Sequence, residues 1–241
     1  MGFYPRYFYV IIIRKGVDLM KILIDCGHCL SGADTGAQGN GKKEEVLTRE
    51  VGNKALEYFR SLGHQCELTN INSGFTSVNS SLRARVNKER SYRPDIFISI
   101  HFNAGGGTGT ETYVCSTGGK AYDYAKKVNN KICESTGYRN RGVKVANYYV
   151  LTNTTAPAIL VECAFIDNKS DMDKYNPNAL AKAIVEAVTG SKVQTNNNAQ
   201  VDTQTLYKVI CGSFSVKENA DKMVTKLKEK GFEAFVEKYT K

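Results

Sequence analysis

Three runs of the chain, MKILID from Met20, DIFISIHFNA from Asp95 and AILVECAF from Ala158, are apolar almost without interruption. A strand with one wet face alternates apolar and polar residues; one that is apolar throughout has to be covered on both faces, the situation of a strand inside a parallel sheet. Between these runs lie segments of helical period, expected from about Glu44 to Leu62, Leu82 to Glu89, Lys120 to Glu134 and Asn178 to Val188. CELTNI, GTETYVCS and NYYVL read as further strands. The expectation is an α/β fold: a mainly parallel, twisted sheet flanked by helices on both faces. At 241 residues with 41% hydrophobic content there is enough chain for one medium domain and a small one.

The boundaries follow from composition. After Gly190 the stretch SKVQTNNNAQVDTQT has two valines in fifteen residues and no aromatic, so 191–205 reads as a linker. Residues 206–241 then read as a small β-α-β unit: LYKVICGSF, KENADKMVTKLKEKG, FEAFVEKY. Such a unit is too small to bury a core alone and is expected to pair, dimerise or dock. At the other end, residues 1–19 precede a second methionine, Met20. Their apolar part is too short for a membrane span, and Arg14 and Lys15 spoil it as a secretory signal. Lys15-Gly16-Val17 back-translates to a purine-rich ribosome-binding sequence just before Met20, so residues 1–19 are expected to be leader read as protein. The expected location follows: cytoplasmic until released, with no integral membrane segment.

A net charge of +9 suits an anionic partner, a wall polymer or nucleic acid, but solubility is the better account of it. No dense Lys/Arg run with interleaved aromatics occurs, and no nucleic-acid partner is expected. The seven cysteines are mostly scattered through apolar runs and do not form a disulfide framework.

There are three histidines. His28 and His101 each follow an apolar strand, which places both at the carboxyl edge of the sheet, where α/β sheets carry their sites. His64, in the helix-to-strand turn SLGHQ, belongs to the opposite edge and is expected to face solvent. A hydrolytic zinc site takes three protein ligands, and two histidines with a glutamate are an attested set. KKEEV offers Glu44 or Glu45 at a helix start. Glu44 shares the stripe of Leu47, Val51, Ala55 and Phe59 and so faces inward, whereas Glu45 aligns with Thr48 and Arg49 on the wet side. Helix-dipole complementarity is the plainer account of either glutamate. Glu162 is a charge inside a strongly apolar strand, a setting that calls for either a buried salt bridge or a task such as general acid/base work.

MKILIDCGH, the Glu44 helix, SLRARVN leading into FISIHFNA, RNRGVK, and PAILVECAFIDN with Asp171 beyond it resemble, in order and spacing, the zinc-dependent N-acetylmuramoyl-L-alanine amidases of the type 3 class, found in bacterial autolysins and phage endolysins. The resemblance covers Met20 to about Gly190, and departs from the family pattern at Cys29, where glycine is common. It implies that His28, Glu44 and His101 bind Zn²⁺ and that Glu162 is the catalytic glutamate. The implied reaction cleaves the amide between N-acetylmuramic acid and L-alanine, in the peptidoglycan of a Gram-positive wall. Rival readings are another zinc peptidoglycan peptidase, carboxypeptidase-like, and a wall-binding protein without activity. Cys26 and Cys29, spaced C-x-x-C, are read as bystanders because a Gly-containing loop, not a helix, follows them. Asn103 is open between supporting the site and shaping its loop, Arg85 between an ion pair and substrate contact, and GGGTGT is expected to be flexible. YKVICGSFSVKENADKMVTKLKEKGFEAFV resembles the first half of a SPOR domain, a peptidoglycan-binding module. Only one of its two β-α-β halves is present, which implies self-association as one way of completing it.

Overall fold

The computed structural model describes residues 7–14, 19–194, 210–214, 216–230 and 233–240. It divides into two compact units, Leu19–Thr195 and a second that joins Met1–Asp18 to Asn196–Lys241.

In chain order the elements are β1 (Tyr7–Arg14), β2 (Lys21–Cys26), a minimal hairpin β3 (Gln38–Gly39) and β4 (Lys42–Lys43), and α1 (Glu44–Ser61). Next come β5 (Gln65–Leu68), α2 (Val78–Tyr92), β6 (Ile96–Asn103), β7 (Thr110–Val114), α3 (Gly119–Thr136) and β8 (Asn140–Val145). The larger unit ends with α4 (Tyr149–Thr152), β9 (Ala158–Phe165), α5 (Lys169–Asp173) and α6 (Pro177–Thr189). The smaller unit adds β10 (Ile210–Phe214), α7 (Lys217–Glu229) and β11 (Glu233–Thr240).

The large sheet has the order β5-β2-β6-β9-β7-β8. Its first four strands are parallel, as the continuous apolar runs predict, and β7 runs antiparallel to β9. The reversal has a simple cause. Only residues 104–109 separate β6 from β7, and a parallel return needs a crossover about twice that length. From β7 the chain crosses through α3, so β8 pairs parallel to β7.

The two faces of this sheet differ. Ile22, Ile24, Ile96, Ile98, Ile100, Phe102, Ile159, Val161 and Cys163 are buried in one core together with residues of α1, α3 and α6. The opposite face begins apolar, with Leu23, Phe97, Ala158 and Leu160 under α2 and α4. Toward the carboxyl ends of the strands it turns polar: Asp25 pairs in register with Ser99, and His101 with Glu162.

One expectation changes, and one strand is new. NYYVL is not a strand: Tyr149–Thr152 is one helical turn. Its aromatic and β-branched residues favour extended backbone, but β9 fills the sheet position beside β6, and only Val150 and Leu151 bury. RNRGVK, polar and interrupted by Gly142, forms the edge strand β8, whose charges suit an exposed sheet margin.

In the smaller unit β10, β1 and β11 form a three-stranded sheet with β1 in the middle, antiparallel to both neighbours. Tyr7 pairs with Thr240 and Arg14 with Glu233, so the strands match end to end. Residues 1–19, expected as leader, thus contain the central strand of this sheet, and the partner expected for the β-α-β unit is a strand of the same chain. The parts of the linker and of LYKVICGSF before Ile210 lie mostly outside the described residues.

Candidate active site

β2 ends at Cys26 and the chain turns sharply at Gly27 and His28. His28 has φ +63°, a left-handed conformation unusual for a residue with a side chain. Two buried or half-buried guanidiniums hold it there. Arg85 Nη2 and Arg49 Nη2 each donate to the His28 carbonyl at 2.7 Å. Arg85 also donates to the Cys26 carbonyl at 2.8 Å, and Arg49 to those of Gly27 and Ile71 at 3.0 Å. Glycine at 27 is demanded by packing, since a Cβ there would lie 2.4 Å from His101 Cε1.

The expected trio converges. One donor atom from each of His28, Glu44 and His101 lies within 4.8 Å of the others. Glu44 Oε1 is 3.2 Å from His28 Nε2 and 3.1 Å from His101 Nδ1, and it also accepts from the Phe102 amide at 2.9 Å. Its second oxygen accepts from the Ala37 amide at 2.9 Å. On the far side of the His28 ring, Nδ1 meets Asp34 Oδ1 at 3.1 Å, while Asp34 Oδ2 accepts from Ser81 at 2.5 Å. A carboxylate behind a ligating imidazole fixes its tautomer and leaves the other nitrogen free for a cation.

The electrostatics agree with a cation site. Burial alone would lower the His28 pKa; hydrogen bonds donated to the Asp34 and Glu44 carboxylates outweigh it and raise the imidazole to about 10. For Glu44 burial pulls upward, but His101 and His28 hold the carboxyl far below its usual range. Two imidazoles and one carboxylate are a donor set a metal ion accepts.

Glu162 neighbours His101 in the β6–β9 register. Its Oε2 is buried with no hydrogen-bond partner among the described residues. Burial, reinforced by the negative charges of Glu44 and Glu111, pushes its pKa up to about 7. Among the described residues it forms no salt bridge to an arginine, so the plainer account of this charge finds no support. Glu162, His28 and His101 line a pocket of about 300 Å³ whose other walls include Leu160, Tyr148 and Tyr149.

Other expectations resolve as follows. Glu45 is not wet: it is 4% exposed, because the loop before α1 folds over that side of the helix and Gly36 donates to its Oε2 at 3.2 Å. Its neighbour Arg49 is turned inward for the same reason. His64 does lie at the opposite edge but is only 4% exposed, with Nδ1 accepting from the Met20 amide at 3.1 Å. Arg85 is an ion-pair residue, bonded to buried Asp25 at 2.5 Å, and Asp25 also accepts from Thr69 and Ser99. Cys29 packs beside Ser81 and Arg85, outside the trio, and Cys26 against Gly52. The GGGTGT loop is tied down, with the Gly105 and Gly106 amides on Asp167 and Thr108 and Gly109 on Asp171. Asn103 donates to Glu111 Oε1 at 2.7 Å. Sequence reasoning misses Asp34 and Glu111 and puts Arg49 on the wrong side of its helix; only Glu111, a charge within the strand TETYV, carries the same signal as Glu162.

Comparison with known proteins gives a consistent result. Residues 22–191 match a protein family described as N-acetylmuramoyl-L-alanine amidase, and residues 203–241 match the SPOR domain. The sporulation-specific N-acetylmuramoyl-L-alanine amidase of Bacillus subtilis (strain 168) is 34% identical over 220 residues, covering 90% of this chain and 84% of that protein. The N-acetylmuramoyl-L-alanine amidase CwlM of Bacillus licheniformis is 36% identical over 220 residues, covering 90% and 85%. Among solved structures, the catalytic domain of the CD27L endolysin targeting Clostridia Difficile superposes with a TM-score of 0.65 at 28% identity, covering 73% of this chain and 99% of that one.

Proposed function

This chain belongs to the N-acetylmuramoyl-L-alanine amidase family and is a peptidoglycan hydrolase that cleaves the amide between N-acetylmuramic acid and the L-alanine of the stem peptide; from that premise we propose that it does so as a zinc enzyme, with His28, Glu44 and His101 as ligands and Glu162 as general base and acid. The observation that carries the proposal is the meeting of two imidazole nitrogens and one carboxylate oxygen within 4.8 Å, beside a glutamate with an unpartnered oxygen.

When bound, zinc polarises the scissile carbonyl and acidifies a water. The remaining work falls to the protein. Asp34 and the two guanidiniums on the His28 carbonyl keep His28 Nε2 aimed at the centre. Glu162 takes the attacking water's proton and returns it to the departing amine of L-alanine, a role suited to a carboxyl whose pKa stands at about 7. Leu160 and Tyr148 line the pocket together with that carboxylate.

The natural substrate is proposed to be a Gram-positive wall, reached from outside the cell after release from the cytoplasm in lysis. Relatives from Bacillus support that choice. The SPOR match supports a wall-binding role for the smaller unit. The test is turbidity loss of purified walls with chelator and with zinc restored, coupled to labelling of new amino termini. Zinc-dependent exposure of alanine amino termini is expected. New termini on any other residue would point to a peptidase, and clearing that ignores the chelator would remove the zinc reading.

A further inference from the structure

The row of side chains that contains His101 and Glu162 does not end at Glu162. Across β9, Glu162 is in register with Glu111 of β7. Beyond Glu111, β8 bulges: Thr110 pairs with Asn140 and Thr112 with Val143, so Arg141 and Gly142 together stand opposite one residue. Gly142 has φ +79°, the left-handed conformation such bulges use to re-aim a side chain. Arg141 is aimed back along the row. Its Nε donates to Glu111 Oε2 at 2.5 Å, and Lys144 Nζ reaches the same oxygen.

Glu111 is 1% exposed and also accepts from Asn103 and Tyr113. Two cations serve one carboxylate, and among the described residues neither pairs with another. One of the two cations therefore has no carboxylate of its own within ion-pair distance among the described residues. Both side chains keep a solvent-facing part, 27% exposed for Arg141 and 38% for Lys144. The Arg141 guanidinium lies on the Phe165 ring, 4.9 Å from its centroid, and its Nη groups have no hydrogen-bond partner among the described residues. A salt bridge built only for stability has no use for the second cation or for the free donors.

We propose that Arg141 and Lys144, held on Glu111, form the subsite for a free carboxylate on the peptide side of the scissile amide. The proposal rests on the amidase reading and extends it to substrate choice. Spacing favours the second stem residue: two strand separations of about 4.8 Å lie between β9 and β8, roughly the reach of two to three extended residues. Arginine suits this task through its paired donors.

The test uses the full zinc-loaded chain on two soluble muramoyl-L-alanyl-glutamate substrates with the glutamate γ-carboxyl capped as an amide in both, one with the α-carboxyl free and one with it amidated. The expected wild-type KM is lower for the acid by about tenfold, a charge-assisted hydrogen bond partly screened by solvent. Arg141→Gln and Lys144→Gln should each raise KM for the acid toward that of the amide with kcat nearly unchanged, and Arg141→Lys should restore part of the difference. Equal wild-type KM values overturn the subsite, as do variants that raise both KM values alike or lower kcat on both, the signature of a structural prop. Should Arg141→Gln not fold, the more exposed Lys144 carries the test. Release of alanine amino termini from intact walls by the wild type is the control: without it the amidase reading falls and the subsite with it, whereas with it an unchanged ratio removes the subsite alone.

Discussion

Replacing Asp34 with asparagine tests whether the charge behind His28 tunes the proposed metal site. Asp34 Oδ1 sits 3.1 Å from His28 Nδ1 and Oδ2 3.6 Å from Arg85 Nη2. Asparagine keeps the size and can still accept the imidazole N–H, so the ring orientation survives; what is lost is one negative charge. Arg85 stays compensated by Asp25 at 2.5 Å, which should leave the fold intact. Loss of a carboxylate behind a ligating histidine weakens metal affinity about 10- to 100-fold, or roughly 1.4–2.8 kcal/mol. The assay is competition for zinc against a chromophoric chelator, paired with NMR titration of His28 in the metal-free protein. There the wild-type imidazole should titrate near 10 and the variant distinctly lower. The linkage has a definite sign. A histidine whose folded pKa is raised contributes stability that is complete below its unfolded value of about 6.5 and is lost as pH rises toward the folded value. The Tm of the metal-free wild type should therefore decline between about pH 6.5 and 10, less steeply in the variant. With zinc saturating, kcat should recover almost fully, because Asp34 touches no reacting atom. Zinc affinity within twofold of wild type, with His28 still titrating near 10, would refute the reasoning.

Glu162→Gln should lower kcat about 10²- to 10⁴-fold while zinc binding by competition stays unchanged; an equal loss of zinc would mean that Glu162 serves as a ligand. Gly27→Ala would place a Cβ 2.4 Å from His101 Cε1, displace the ring and weaken zinc binding, read by the same competition. Arg85→Met leaves buried Asp25 without its cation and should destabilise by about 3–5 kcal/mol in urea unfolding; a loss below 1 kcal/mol would show that Thr69 and Ser99 suffice. Deleting residues 1–19 should spare amidase turnover, since every residue assigned to the site lies at Asp25 or later, but remove amide-exchange protection from 210–214 and 233–240, where β1 pairs. Unchanged protection would mean that the small unit does not rely on that strand, in keeping with a leader.

What the sequence made legible depended on whether a residue's position is set by its own element. Periodicity placed Glu44 on the inner face of α1, the apolar strands placed His28 and His101 at one edge, and Glu162 stood out as a charge inside an apolar strand, because the strand and helix repeats are properties of the local chain. Glu45 and Arg49 went the other way. The helix repeat reports the face turned to the sheet, and it carries no information about a loop laid over the opposite face. Asp34 sits in SGADTGAQ, where no repeat operates, and its contact to His28 depends on a loop path fixed by Arg49, Arg85 and Ser81 together. NYYVL failed through topology, since the sheet had no vacant place for another strand there.

The same alternation that separates core from site also links them. Ile100 and Phe102 flank His101 in β6, and Val161 and Cys163 flank Glu162 in β9; all four are buried on the apolar face. A slip of one residue in either strand would turn that whole set toward the polar face and carry the histidine or the glutamate into the core. The apolar face thus fixes the register in which His101 meets Glu162 and Glu162 meets Glu111. Immediately afterwards the register shifts between His101 and Asn103, and pairing resumes with Asn103 opposite Phe165, so regular register is continuous only up to the row of His101 and Glu162. Truncations at Ile100 or Val161 should accordingly appear first as lost stability, and changes at His101, Glu162 or Arg141 as lost function on a folded chain, although neighbouring residues of the same strands carry the two effects.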